Sequence, residues 1–173
     1  MRKFLPFLFL IVFAASTFAQ QATGAPAQDF SVTTIDGKTY ELSALKGKVV
    51  VMTFWSTRCE ICRSEIPSLN KLVDKYEGKV VFLGLAWQDK AKLDVFLKER
   101  PFRFEIVPQS FGVLLKYAAR DEKGRLNMGY PSHFVIDGEG VVVFQGEGFS
   151  KTKKLDGLLA DLTVQTTSDT TGN

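Results

Sequence analysis

The stretch from Val49 to Cys62, "VVVMTFWSTRCEIC", constrains the fold more than any other part of this chain. Its continuous apolar, β-branched run predicts a strand buried on both faces, because only sheets covered on both sides carry strands without a polar face. Two cysteines, Cys59 and Cys62, follow at C-x-x-C spacing, and the chain has no others. From between them onward, Ile61, Ile66, Leu69, Leu72, Val73 and Tyr76 recur at helical spacing, with Gly78 as the expected stop. Both thiols therefore fall at the junction of a buried strand and a helix.

The remaining chain supplies the partners such a strand needs. "DFSVTTIDGKTYELSAL" reads as a hairpin about Asp36-Gly37. "KVVFLGLAW" is a second buried strand, and "KAKLDVFLKER" is an amphipathic helix stopped by Pro101. "FGVLLKYAAR" is a weaker helix. "SHFVID" and "VVVFQGEG" are two strands about the turn at Asp137-Gly138-Glu139-Gly140. "SKTKKLDGLLADL" is a last helix, with Ser150 as the expected cap. Strand–helix alternation closed by a hairpin and a helix predicts an α/β domain. Its mixed central sheet carries helices on both faces and a β-hairpin at its amino terminus.

The first nineteen residues, "MRKFLPFLFLIVFAASTFA", have the layout of a secretory signal peptide: two basic residues, an apolar run and small residues at the end. The run of about 15 apolar residues is short against the roughly 20 of a membrane span. Cleavage is expected before Gln20. Residues 20–28 then form a small-residue leader, 29–162 the domain, and 163–173 a polar, disordered tail. Export implies a periplasmic or otherwise extracytoplasmic location, where disulfides form. Of the net charge of +3, Arg2 and Lys3 in the leading segment supply two. No strong basic field remains, so nothing points to nucleic acid.

In open α/β sheets the reactive site lies beyond the carboxyl end of a central strand, where a helix begins. A helix amino terminus carries unpaired N–H groups and partial positive charge, which favour thiolate over thiol. Arg58 adds a cation and Glu60 opposes it. Thiolate is the nucleophile of disulfide exchange, and a second thiol one turn further on can close back on the first. Blander readings are weaker. A disulfide across so short a loop would constrain little of the unfolded chain, about 2 kcal/mol. A zinc site needs about four ligands, and His133 is the only histidine. Redox chemistry is the reading that explains the spacing and its position together.

Two segments, "VVVMTFWSTRCEICRSEIPSL" and "GYPSHFVIDGEGVV", resemble the paired motifs of the TlpA/ResA-like branch of the thioredoxin superfamily. The resemblance spans Ala25 to about Leu162 and implies a thioredoxin-like fold. It implies Cys59 as the attacking thiol, Cys62 as the resolving thiol and Pro131 as a cis-proline against the dithiol. Tyr130 would offer backbone groups to an extended substrate, with Trp55 and Arg58 also in the substrate site. Pro67 matches a proline that kinks the active-site helix. The buried acid that thioredoxins proper carry six residues before the first cysteine is Thr53 here. Glu65 matches an acidic residue of the ResA-like members and shares a helix face with Cys62, so it is the expected manager of the dithiol's proton. Buried carboxyls can exchange protons near neutrality.

His133 and Trp87 read as structural residues near the site, and the segment "RDEKGRLNM" as a loop that shapes the substrate surface. The function implied is an extracytoplasmic thiol–disulfide oxidoreductase that reduces disulfides of exported proteins, apocytochrome c among them. A membrane thiol-transfer protein would supply its electrons. The chain is expected to be a monomer without metal or cofactor. A thiol peroxidase is the alternative from another class, but Met52 and Ser56 stand where such enzymes carry proline and threonine. A copper-delivery module through Cys59, Cys62 and His133 is a third, weaker one.

Overall fold

The computed structural model describes residues 21–169. The expected signal segment and the last four residues lie outside them. The central sheet is built from β3 (Val49–Trp55), β4 (Val80–Ala86), β5 (Glu105–Val107), β8 (Ser132–Ile136) and β9 (Val142–Glu147). Their order across the sheet is β5-β4-β3-β8-β9. β3 runs parallel to β4, and β4 to β5, whereas β8 is antiparallel to both β3 and β9. Every residue of β3 is buried, as its unbroken apolar run requires.

One face of the sheet carries α1 (Glu60–Lys75), α2 (Lys90–Glu99) and α4 (Thr152–Asp169). Val51, Trp55 and Val135 of the sheet meet Ile66, Leu69, Leu93, Leu155 and Leu159 of those helices. The other face carries α3 (Phe111–Tyr117), the hairpin of β1 (Ser31–Thr33) and β2 (Thr39–Glu41), and a single 3-10 turn at Leu42–Leu45. There Met52, Phe54 and Phe134 pack on Tyr117, Phe30 and Tyr40. Phe54, Tyr117 and Phe134 form a ring cluster with centroids 5.2–6.1 Å apart.

The sequence missed β5. The strand has only three residues, and the alternation of Phe102, Phe104 and Ile106, all buried, was its signal. The weaker helix ends at Tyr117; Ala119–Arg120 instead forms β6 and pairs with β7 (Leu126–Asn127). The segment read as a loop is therefore a small exposed hairpin, pinned by Asp121, which accepts from Lys123 N, Arg125 N and Arg125 Nε.

Three expectations about the ends need correction. The leader is part of the domain: Gly24 N donates to Val142 O, Val142 N to Ala25 O and Ala27 N to Gly140 O. The polar tail does not begin at 163, because α4 continues to Asp169. Thr163 donates its hydroxyl back to Leu159 O at 2.7 Å, so its buried polar side chain is satisfied within the helix that Leu155 and Leu159 anchor. Ser150 is not the cap of α4. It adopts φ +68°, outside the helix, and its N–H points elsewhere.

Candidate active site

β3 delivers the chain to the carboxyl edge of the sheet, and α1 begins after four intervening residues. Among these, Ser56 and Thr57 are held from β4's side. Gln88 Nε2 donates to Ser56 Oγ at 2.7 Å and to Thr57 Oγ1 at 3.2 Å. Ser56 Oγ also accepts from Arg58 N, and Cys59 N donates to Ser56 O. Gln88 is buried. It is a site residue the sequence reading overlooked, and nothing in its local pattern marked it.

Cys59 is the N-cap of α1, in extended conformation, and its sulfur accepts from Cys62 N at 3.1 Å. The two cysteines are joined as a disulfide, with Cα atoms 5.2 Å apart. Cys59 is half-buried and Cys62 is buried. The side chains of α1 that turn inward are Cys62, Glu65, Ile66, Leu69 and Leu72. Ile61, expected on this face, is instead 43% exposed between the cysteines. Its inward place is held by Cys62 and Glu65. Pro67 lies inside α1, which continues past it to Lys75.

The peptide bond Tyr130–Pro131 is cis. Register pairs Ser132 with Phe54, so Pro131 stands beside the end of β3, where the dithiol loop leaves the sheet. Pro131 O accepts from Gly148 N at 2.8 Å, which ties this corner to the end of β9. Tyr130 is half-buried against both halves of the core, and loss of solvent pushes its phenol above the usual tyrosine range.

Arg58 is exposed beside the dithiol. Trp55 is not: it is 1% exposed, with its ring 5.4 Å from Phe96 and 5.2 Å from Phe102. The expectation that Trp55 contacts substrate is corrected. Its indole is a wall between β3 and α2. Trp87, one residue past the end of β4, is 53% exposed.

Glu65 is buried and receives the backbone N–H of Ser150 on Oε1 at 2.6 Å. Its Oε2 lies 3.6 Å from His133 Nε2. His133 is fully buried, and its Nδ1 is 2.9 Å from Thr53 Oγ1, the residue paired with it across β3 and β8. Thr53, His133, Glu65 and the Ser150 N–H thus form one buried polar row under α1, a turn away from Cys62.

Residues 23–145 match the AhpC/TSA family. The chain is 34% identical over 147 residues to the thiol-disulfide oxidoreductase ResA of Bacillus anthracis, covering 81% of this chain and 78% of that protein. It superposes on a thiol:disulfide interchange protein of the thioredoxin family from Chlorobium tepidum TLS. The TM-score is 0.69 and identity 25%, over 84% of this chain and 99% of that one. A second solved structure, the exposed lipoprotein thioredoxin of Streptococcus pneumoniae strain TIGR4, gives a TM-score of 0.62 at 26% identity, over 78% and 100% of the chains. A C-x-x-C at the cap of α1, a cis-proline beside it and these similarities agree: the chain belongs to the AhpC/TSA family and, within it, to the ResA-like thiol-disulfide oxidoreductases of thioredoxin fold.

Proposed function

We propose that this enzyme acts outside the cytoplasm on disulfides of exported proteins, with Cys59 as the attacking thiol and Cys62 as the resolving thiol. The carrying observation is the difference in exposure: Cys59 caps the helix half-open to solvent, and Cys62 is covered. In the reducing direction the Cys59 thiolate attacks one sulfur of the substrate disulfide. The other substrate sulfur leaves as a thiolate, and a mixed disulfide remains on Cys59. Cys62 then attacks Cys59, restores the internal disulfide and releases the second substrate thiol. Two electrons pass from the dithiol to the substrate. The N–H groups and partial positive charge of a helix start favour the thiolate that begins this sequence.

The substrate class follows from the rim. Ile61 lies between the cysteines, Trp87 follows β4, and Phe149 precedes Ser150; all three are exposed. An apolar rim around a reactive sulfur grips an extended or unfolded segment better than a charged folded surface does. Exposed Arg58 and the backbone at Tyr130 complete the contact. The basic, apolar and small-residue order of the first nineteen residues supports export. The pneumococcal relative is described as an exposed lipoprotein. Electrons would come from a membrane thiol-transfer protein.

Incubation of the Cys62→Ser and Cys59→Ser variants with a disulfide-bearing unfolded protein tests the reading. Cys62→Ser should accumulate a mixed disulfide and Cys59→Ser should not; an adduct formed through Cys62 would reverse the roles. Equilibration of the wild type with glutathione gives the direction. A potential of about −270 mV or below marks a reductant, and one near about −120 mV an oxidant.

A further inference from the structure

We propose that His133 is a positioning residue for the dithiol: with Thr53 it holds the Glu65 carboxylate, which takes the proton that Cys62 must lose. The inference rests on the exchange mechanism above, with Cys62 as the resolving thiol.

The geometry carries it. Glu65 and His133 are both buried, and their facing atoms, Oε2 and Nε2, lack any hydrogen bond of their own. At 3.6 Å they stand in ion-pair range, just beyond hydrogen-bond length. Each is therefore the other's available partner in a place where an unmatched polar atom is costly. The far sides of both groups are fixed. Ser150 N holds Oε1 at 2.6 Å, and Thr53 Oγ1 holds Nδ1 at 2.9 Å. A hydroxyl both donates and accepts, so Thr53 satisfies Nδ1 in either tautomer of the ring. A carboxylate at that place would favour one. The site thus holds the imidazole in place without dictating which ring nitrogen carries the proton.

In the resolving step Cys62 Sγ gives its proton to the carboxylate of the pair, Glu65, one turn further along α1. The Cys62 thiolate attacks Cys59 Sγ, the Cys59–Cys62 bond forms, and the bond from Cys59 to the substrate sulfur breaks. The electron pair of that bond leaves on the substrate thiolate. Before the transfer the pair carries one negative charge; afterwards it carries none. The charge moves from carboxylate to sulfur instead of building up on both, which a buried site disfavours. The surrounding elements add few competing groups. β3 presents Thr53, and β9 presents Gly146 opposite His133. α1 presents Glu65 and Cys62, with Arg63 half-buried next to Cys62. Tyr130 precedes β8, and Lys154 of α4 lies over the Phe144 ring, 5.1 Å from its centroid.

The test compares the two half-reactions in stopped-flow exchange with oxidised glutathione, for wild type, His133→Gln, Glu65→Gln and the double variant, across pH. Attack by Cys59 is followed in a Cys62→Ser background, and resolution in the intact dithiol. His133→Gln should slow resolution by about 10- to 100-fold, up to the lower limit of the roughly 10²–10⁴ of a positioned proton-transfer group, because it acts through Glu65. It should slow attack less and should alter the pH profile of resolution. The double variant should be no slower than Glu65→Gln alone, because the two act as one unit. Equal resolution rates and pH profiles in wild type and His133→Gln overturn the inference. So does a double variant that loses the product of the two single effects. A Cys62→Ser protein that forms no mixed disulfide overturns the exchange mechanism instead.

Because the chain has one histidine, ring-nitrogen NMR reads His133 without any substitution. Its shifts should differ between oxidised and reduced protein at matched pH, because the carboxylate it faces serves the thiol that the disulfide removes. Identical shifts in both redox states defeat the proposal even if His133→Gln fails to fold.

Discussion

A Cβ added at Gly84 would stand 2.8 Å from Ile106 Cδ1 and 3.2 Å from Trp55 Nε1. Gly84 is paired with Thr53 on β3, so the bare backbone of β4 is the floor on which the indole lies. Gly84→Ala should therefore cost about 1–3 kcal/mol of stability by overpacking. The cost should appear in denaturant unfolding, together with a shifted tryptophan emission, while a normal unfolding midpoint would mean that Ile106 yields freely. Residues of this kind separate what the sequence discloses from what it hides. Cys59, Cys62 and Glu65 were legible because their relation is local: a cap, one turn and a helix face. His133 was not, because its partners lie far off in the chain on β3 and α1, and only the β3–β8 register brings them to it. Trp55 was misassigned for a related reason. A tryptophan near a reactive motif looks the same in sequence whether it faces solvent or the Phe96 and Phe102 rings.

At the scale of elements, the strands and helices that bracket the dithiol followed from periodicity and stop signals. β5 was too short for its alternation to stand out. What periodicity cannot say is how two helices are fastened. Asp156 of α4 accepts from Lys75 Nζ at 2.6 Å and from Tyr76 Oη at 2.7 Å, both at the end of α1. The Lys75 bond first, and Tyr76 second, hold the Asp156 carboxyl below its usual range. A carboxyl depressed on folding contributes stability above its unfolded value, and that contribution is lost as pH falls through the folded one. The side chain is 39% exposed, which limits the contribution to about 0–1 kcal/mol. Asp156→Asn should be slightly less stable than wild type near neutrality and should converge with it in acid. Parallel stability curves for the two proteins down through the carboxylate range would show that α1 and α4 are held by Leu69, Leu72, Leu155 and Leu159 alone.

Across the whole molecule, the chain before β3 is a belt over one face of the sheet. Residues 24–27 pair with residues 140–142 at the start of β9, on its outer edge, with Pro26 bridged to Val141. Phe30, Val32, Tyr40 and Leu42 then bury themselves against Met52, Phe54 and Phe134. Beyond β1, Ile35 N donates to Ile106 O on β5, and Lys38 pairs with Glu105 at 3.2 Å. One segment thus reaches both outer edges of the sheet, and at β9 it includes a proline that offers no further donor. Covered edges resist pairing with a second chain. The sequence showed the hairpin but not the belt, because "QQATGAPAQ" has no apolar period and its contacts are backbone bonds to a strand over a hundred residues away.

The belt also holds α3: Tyr117 Oη donates to Gln28 O at 2.7 Å, and Gln28 Nε2 donates to Lys116 O. Burial pushes the Tyr117 phenol far up. A chain that begins at Asp29 would lose these bonds, leave β9 open and bring water to Tyr117. With hydrogen bonds worth about 1 kcal/mol each net of the water they replace, and part of that offset by the freedom the segment regains, the loss should be about 1–3 kcal/mol. Denaturant unfolding of the shortened and full chains measures it. Light scattering at matched concentration should show the shortened chain self-associating through β9. If both chains share one unfolding midpoint and stay equally dispersed, residues 21–28 contribute nothing to the domain and the edge of β9 needs no cover.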